Sequence, residues 1–184
     1  RPGAVHVWWL GQRGFLIKWN GQGVLIVPDR SASVTRPTEG TDSPIRRVSE
    51  QVVDPLALEG VETVLCSSAQ ADRLDLETLL PLRAANPNIK LVVPAGIEDQ
   101  TRDLLGKAGP NIVPVNADTF VKVDSFEFHG IDAATPKIRR DINGNSKDLG
   151  YVILFGPFAL YHSGQTIWHT NLVKAVRRWP INLS

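Results

Sequence analysis

Sulfur is nearly absent from this sequence: 184 residues hold one cysteine and no methionine. A lone cysteine excludes an internal disulfide, and Cys66 sits in an apolar run where a buried, inert thiol is the default. That usage predicts a reducing, cytoplasmic setting. The missing methionine, even at residue 1, predicts a processed or trimmed chain. Long apolar runs are missing too. None approaches the ~20 residues that span a bilayer, and no signal-peptide pattern is visible, so no membrane association is expected. Charge of one sign is not in excess either, with 20 basic against 19 acidic residues and a formal net charge of +1. This balance excludes the strong positive field of a nucleic-acid-binding protein.

Several catalytic signatures are also absent. There is no G-x-S-x-G elbow for a serine nucleophile, and neither G-x-x-x-x-G-K-[ST] nor G-x-G-x-x-G to cradle phosphates. The four histidines are His6, His129, His162 and His169, and no two share a close ligand motif. His162 and His169 are seven residues apart across a turn, a spacing that fits no metal pattern. His6 alternates with Val5 and Val7, which places it toward solvent or a hydrogen bond. The five tryptophans lie in strand-like runs or near helix ends, where core packing is expected.

What is present suits one mixed α/β domain over residues 1–184. With 42% hydrophobic residues, a chain of this length buries roughly 70% of its unfolded surface. Strands are predicted at "VHVWWL" (5–10) and "FLIKW" (15–19), then at "GVLIVP" (23–28) after an Asn20-Gly21 hairpin turn. Residues 29–50 are polar with scattered Pro and Gly, and read as a long surface loop. From residue 61 the pattern becomes strand "VETVLCS", helix "LDLETLLPLRAAN", strand "IKLVVP", helix "IEDQTRDLLGKAG" and strand "NIVPV". Asp75 favours the first helix N-terminus, and glycine ends the second helix. Such alternation marks a layered sheet covered by helices. Antiparallel strands follow at "TFVKV", "SFEFHGI", "GYVILFG" and "FALYHSG", and "TNLVKAVRRW" (170–179) closes as an amphipathic helix.

The stretch "VLCSSAQADRLDLETL" (64–79) has the layout of a catalytic loop after a strand. Its apex, however, holds one carboxylate among poor metal ligands. Ser67 and Ser68 are read as exposed turn residues that satisfy backbone groups. The basic segment "KIRRDINGNSKD" (137–148) reads as a solvated hairpin tip that could also meet an anion.

Taken in order, "WWLGQRGFLIKWNGQGVLIVP", "VETVLCSSAQADRLDLETL", "KLVVPAG" and "LGYVILFGPFALYHSGQT" resemble successive landmarks of the metallo-β-lactamase superfamily. They are most similar to the branch of L-ascorbate-6-phosphate lactonase-like hydrolases. The resemblance implies an αββα sandwich whose C-terminal part is incomplete here, and a site for zinc or manganese. The family loop T-H-x-H-x-D-H-L-D would place its three histidines at Ser68, Gln70 and Arg73, and keeps only Asp72, with Leu74 and Asp75 following. A later histidine would fall at Thr135 or Pro136, the bridging aspartate of Y-H-S-G-D-T at Gln165, and the last histidine beyond residue 184. Ser and Gln are weak neutral ligands and Arg is a permanent cation, so the resemblance implies a degenerate metal motif with Arg73 paired to Asp72.

Three functions follow as expectations. The first is a silent homologue, a pseudoenzyme that acts in binding or assembly within a homo- or hetero-oligomer. The second is a metal-dependent hydrolase of a small phosphorylated or lactone substrate, using a residual site of Asp72, Asp132 and His162. The third is a metal-free module in which Arg73, Arg139 or Arg140 meets a small anionic ligand.

Overall fold

A computed structural model of the chain describes residues 3–11, 14–26, 54–69, 76–106 and 109–184. The expected loop at 29–50, together with Gln70, Asp72, Arg73, Leu74 and Asp75, lies outside the described residues. Asn20 and Gly21 both take positive φ, 49° and 81°, the two-residue turn whose twist matches paired strands. They join β2 (Phe15–Trp19) to β3 (Gln22–Ile26), with Trp19 opposite Gln22. β1 (Val5–Trp9) pairs antiparallel with the other side of β2. Beyond β3 the sheet turns parallel, through β4 (Val61–Leu65), β5 (Lys90–Pro94) and β6 (Asn111–Val115), in the order β1-β2-β3-β4-β5-β6. Helices α1 (Leu76–Ala85) and α2 (Glu98–Leu105) connect these parallel strands, and Gly106 closes α2 at a φ of 56°.

The second sheet is antiparallel throughout, in the order β10-β9-β8-β7. It comprises β7 (Phe120–Val123), β8 (Phe126–Asp132), β9 (Leu149–Phe155) and β10 (Phe158–His162). A short helix, α3 (Thr170–Val176), follows and stops three residues before the expected end at Trp179.

Strand alternation sorts the side chains into layers. In the first sheet Leu25, Val64, Leu91 and Val93 face one way and pack with Leu79, Leu82 and Leu105 of the helices. Their neighbours Val24, Ile26, Leu65 and Val92 face the other way, toward Phe126, Phe128, Leu149, Tyr151, Ile153 and Phe155 of the second sheet. The outer face of that sheet, with Ile131 and Val152, packs with Leu172, Val176 and Trp179 at and after α3. The result is four layers, helix–sheet–sheet–helix. No described helix is long and apolar enough to cross a membrane.

The tryptophans depart from the expected core packing. Trp19 and Trp179 are packed, but Trp8, Trp9 and Trp168 are 43%, 61% and 79% exposed. β1 is a sheet edge, so its side chains have a neighbouring strand on one side only, and Trp168 lies between β10 and α3. His6 is exposed as expected, and stacks on Trp8 with ring centres 5.5 Å apart.

Tyr161 shows the cost of packing a polar group in an apolar layer. Its hydroxyl is buried without a hydrogen-bond partner among the described residues, and burial pushes its pKa up to about 12. Tyr161→Phe removes that orphan hydroxyl, so we expect a gain of about 1 kcal/mol at pH 7 in a urea melt. The same hydroxyl sets an alkaline limit. An unfolded tyrosine ionises near pH 10, whereas the folded form of Tyr161 keeps its proton to about 12. Stability held through this proton is therefore complete below pH 10 and is lost as pH rises toward 12. Melts from pH 9 to 12 should show a shallower decline for Tyr161→Phe than for the parent.

Candidate functional site

The parallel strands β4 and β5 end on one rim of the first sheet, the end at which open α/β sheets bind ligands. Past β4, the chain is stitched to its neighbours. The Cys66 N–H donates to Val92 O at 2.9 Å, the Tyr151 hydroxyl donates to Cys66 O at 2.8 Å, and the Leu149 N–H donates to Ser67 O at 2.9 Å. The Cys66 thiol is fully buried and turns toward Ser68 O at 3.0 Å, as an inert thiol would. These bonds correct the expectation of exposed serines, since Ser67 and Ser68 are only 2% and 0% exposed. The turn after β10 lies over them. Gly164 has a φ of +61°, and a Cβ there would stand 2.5 Å from Leu149 O and 3.3 Å from Ser67 Cβ. Only glycine lets this turn approach so closely.

The same turn meets the end of β8. Thr135 Oγ1 donates to Gln165 O at 2.7 Å, the Ala134 N–H donates to Thr166 Oγ1 at 3.0 Å, and the Ile167 N–H donates to Ala134 O at 2.8 Å. The positions where the resemblance places a histidine and a bridging aspartate are thus adjacent, as that comparison requires. His169 belongs to this region too. Its Nδ1 accepts from the Leu172 N–H at 3.2 Å and caps α3, while Nε2 lies 3.3 Å from Asp132 O. A single neutral form, protonated on Nε2, satisfies both bonds.

The segment 137–148 is far less solvated than its composition suggests. Arg139 grips Asp148 through two bonds of 2.7 Å, from Nε and from one terminal nitrogen. Asp148 is 3% exposed, and this hydrogen bond pushes the Arg139 guanidinium above its ordinary value. Arg140 donates to Asp132 Oδ2 at 2.5 Å, and Ser146 Oγ donates to Asp132 Oδ1 at 2.6 Å. At the tip, Asp141 accepts from the backbone N–H groups of Asn143 and Asn145 and from the Asn145 amide, whose side-chain bond holds its carboxyl below the usual range. The reading of a free hairpin tip therefore holds for Ile142, at 99% exposed, but not for the two arginines. Both are already committed to carboxylates, which counts against an anion at either one.

Ser146 and Asp148 were not singled out by sequence reasoning. The signal was present: three aspartates, Asp132, Asp141 and Asp148, surround the Arg139-Arg140 pair, a balanced pattern easily mistaken for a basic loop.

The expected site residues fall as follows. Thr135 and Gln165 come together, and Ser68 lies buried at the end of the strand beneath the same turn. Asp132 pairs with Leu149 and His162 with Tyr151, so both start from strands flanking β9 and on its inner face. Gln70, Asp72 and Arg73 lie outside the described residues. Among the described residues no three His, Cys, Asp or Glu side chains converge in a way that could hold a metal ion. The donor chemistry agrees with that geometry. Ser68, Thr135 and Gln165 are neutral, and Asp132 carries a guanidinium where a ligand carboxylate would need a free face. This set does not fit zinc or manganese.

No protein-family model matches the sequence, and no curated protein does. Solved structures do match the architecture. A possible metal-dependent hydrolase from Veillonella parvula superposes with a TM-score of 0.72 at 15% identity, over 97% of this chain and 69% of the other. The metallo hydrolase Igni18 from Ignicoccus hospitalis gives 0.61 at 18% identity, over 91% of this chain and 63% of that one. The metallo-β-lactamase fold protein YhfI from Bacillus subtilis gives 0.58 at 13% identity, over 88% and 58%. The chain therefore spans between 58% and 69% of the length of these three proteins. Identities this low speak to the fold alone. With its helix–sheet–sheet–helix layers and these neighbours, the chain has the metallo-β-lactamase fold.

Proposed function

We propose that this chain is a catalytically silent relative of the metal-dependent hydrolases, in which the rim of the sheets serves binding or assembly instead of hydrolysis. The observation that carries the reading is the state of Asp132. Its two oxygens are taken by Arg140 and Ser146, and the neighbouring positions Ser68, Thr135 and Gln165 offer neutral oxygens and an amide. Metal-activated water requires several anionic or imidazole ligands to bind the ion and lower the pKa of that water. The described residues supply no such set. The placing within the lactonase-like branch rests on the ordered landmarks, and on "YHSGQT" before the last helix above all.

The hydrolase alternative draws on what the structural neighbours are called. It would need Asp132 to leave Arg140, and Asp72 to join it. Metal content decides between the two. The purified chain, dialysed against zinc and then manganese, should carry close to no bound ion by mass spectrometry while its circular dichroism stays that of a folded protein. About one ion per chain, retained through gel filtration, would overturn the silent reading.

A further inference from the structure

Two sheets present four outer edges, and three are guarded against pairing with other chains. β6 carries Pro114 within it, and β7 carries Lys122, both devices that discourage strand addition. The outer side of β10 is occupied by the chain itself. The Asn182 N–H donates to Ala159 O at 2.8 Å, and the Tyr161 N–H donates to Leu183 O at 2.8 Å. β1 has no such guard among the described residues. Its sequence Val5-His6-Val7-Trp8-Trp9 holds no proline, lysine, arginine or carboxylate, and it pairs only with β2. Val7, Trp8 and Trp9 are 39%, 43% and 61% exposed on this edge.

We propose that β1 pairs antiparallel with β1 of a second copy of this chain, across a two-fold axis at Val7. That register sets Val7 against Val7, Val5 against Trp9 and His6 against Trp8. An isologous contact places every group near its own symmetry mate, so fixed charge on the strand would repel itself; β1 carries none. The pairs formed are aromatic with β-branched and ring with ring, the cross-strand combinations that stabilise sheets. His6 and Trp8 already stack within the strand at 5.5 Å and 17°, a flat ring surface ready to meet its symmetry mate. The exposed parts of two indoles and a valine amount to on the order of 300 Å² per copy. That is less than the ~800 Å² per partner of a standard interface, so the dimer should be weak and strongly concentration-dependent. The inference stands apart from the state of the metal positions, since β1 pairing requires no metal.

Sedimentation velocity across a wide concentration range tests the pairing, with charge substitutions at the axis. The parent should pass from monomer to dimer with a dissociation constant on the micromolar scale. Val7→Lys and Val7→Glu each place two like charges in opposition, and each should weaken the dimer by roughly tenfold or more. An equal mixture of the two variants should recover a dimer, because lysine then faces glutamate. A parent that stays monomeric throughout overturns the proposal, as does a dimer that survives Val7→Lys. Failure of the mixture to associate overturns the two-fold register. Circular dichroism of each variant separates lost pairing from lost folding. Should both variants fail to fold, amide exchange in β1 of the parent decides instead: protection that grows with concentration is expected, and its absence sinks the pairing.

Discussion

Arg139→Ala is expected to cost about 3 kcal/mol, lowering the melting temperature by roughly 6–12 °C for a chain of this size. Asp148 is 3% exposed and receives two bonds of 2.7 Å from Arg139, so deleting the arginine strands a buried carboxylate. The Arg139 side chain is 44% exposed, which places the loss at the lower end of the 3–5 kcal/mol seen when buried pairs are broken. The asymmetry between partners is the stronger test. Asp148→Asn leaves a guanidinium that water can reach, and should cost about half as much. In the double variant the stranded charge is gone, so Arg139→Ala/Asp148→Asn should be more stable than Arg139→Ala alone. Thermal melts of the three variants form the cycle. Equal losses from both single variants, adding in the double, would mean that the pair is a surface contact of little weight.

This ion pair also marks where sequence reading stopped. The layers were legible because period-two alternation and the helical spacing between strands leave few topologies open; Leu91, Val92 and Val93 divide between two cores as a doubly buried strand must. Asn20-Gly21 fixed its hairpin because both residues tolerate positive φ. Burial at the rim was not legible. Ser67 and Ser68 look like turn residues, and only the distant Gly164, pressed against Leu149 and Ser67, shows why they are covered. Arg139 and Arg140 look like a basic tip because their partners, Asp148 and Asp132, lie on strands β9 and β8 or beside them, several residues away in sequence. Pairings of this kind depend on three-dimensional register, which a local pattern does not carry. The ordered landmarks reached further than periodicity: they anticipated the four-layer fold and the meeting of Thr135 with Gln165.

Tyr151 gives the second large effect, because one side chain serves both the core and the rim. It is fully buried between the sheets, and its hydroxyl donates to Cys66 O at 2.8 Å, tying β9 to the segment that continues β4. Tyr151→Ala empties the volume of an aromatic ring and should cost about 3–5 kcal/mol. Tyr151→Phe keeps the ring and removes only the donor, leaving the Cys66 carbonyl short of a partner, at about 1–2 kcal/mol. Burial holds the hydroxyl's pKa well above its ordinary value of 10, so it stays protonated and able to donate wherever the chain is folded. The two variants therefore separate packing from tethering. Amide exchange at Cys66 and Leu149 reads the tether directly, since the Leu149 N–H donates to Ser67 O in the same stitch. Tyr151→Phe should speed exchange at these two amides while leaving that of Val64 and Ile153, deep in their strands, close to the parent's. If exchange rises evenly over all four, the hydroxyl contributes only to global stability, and the rim is held by the backbone bonds and the Gly164 turn without it.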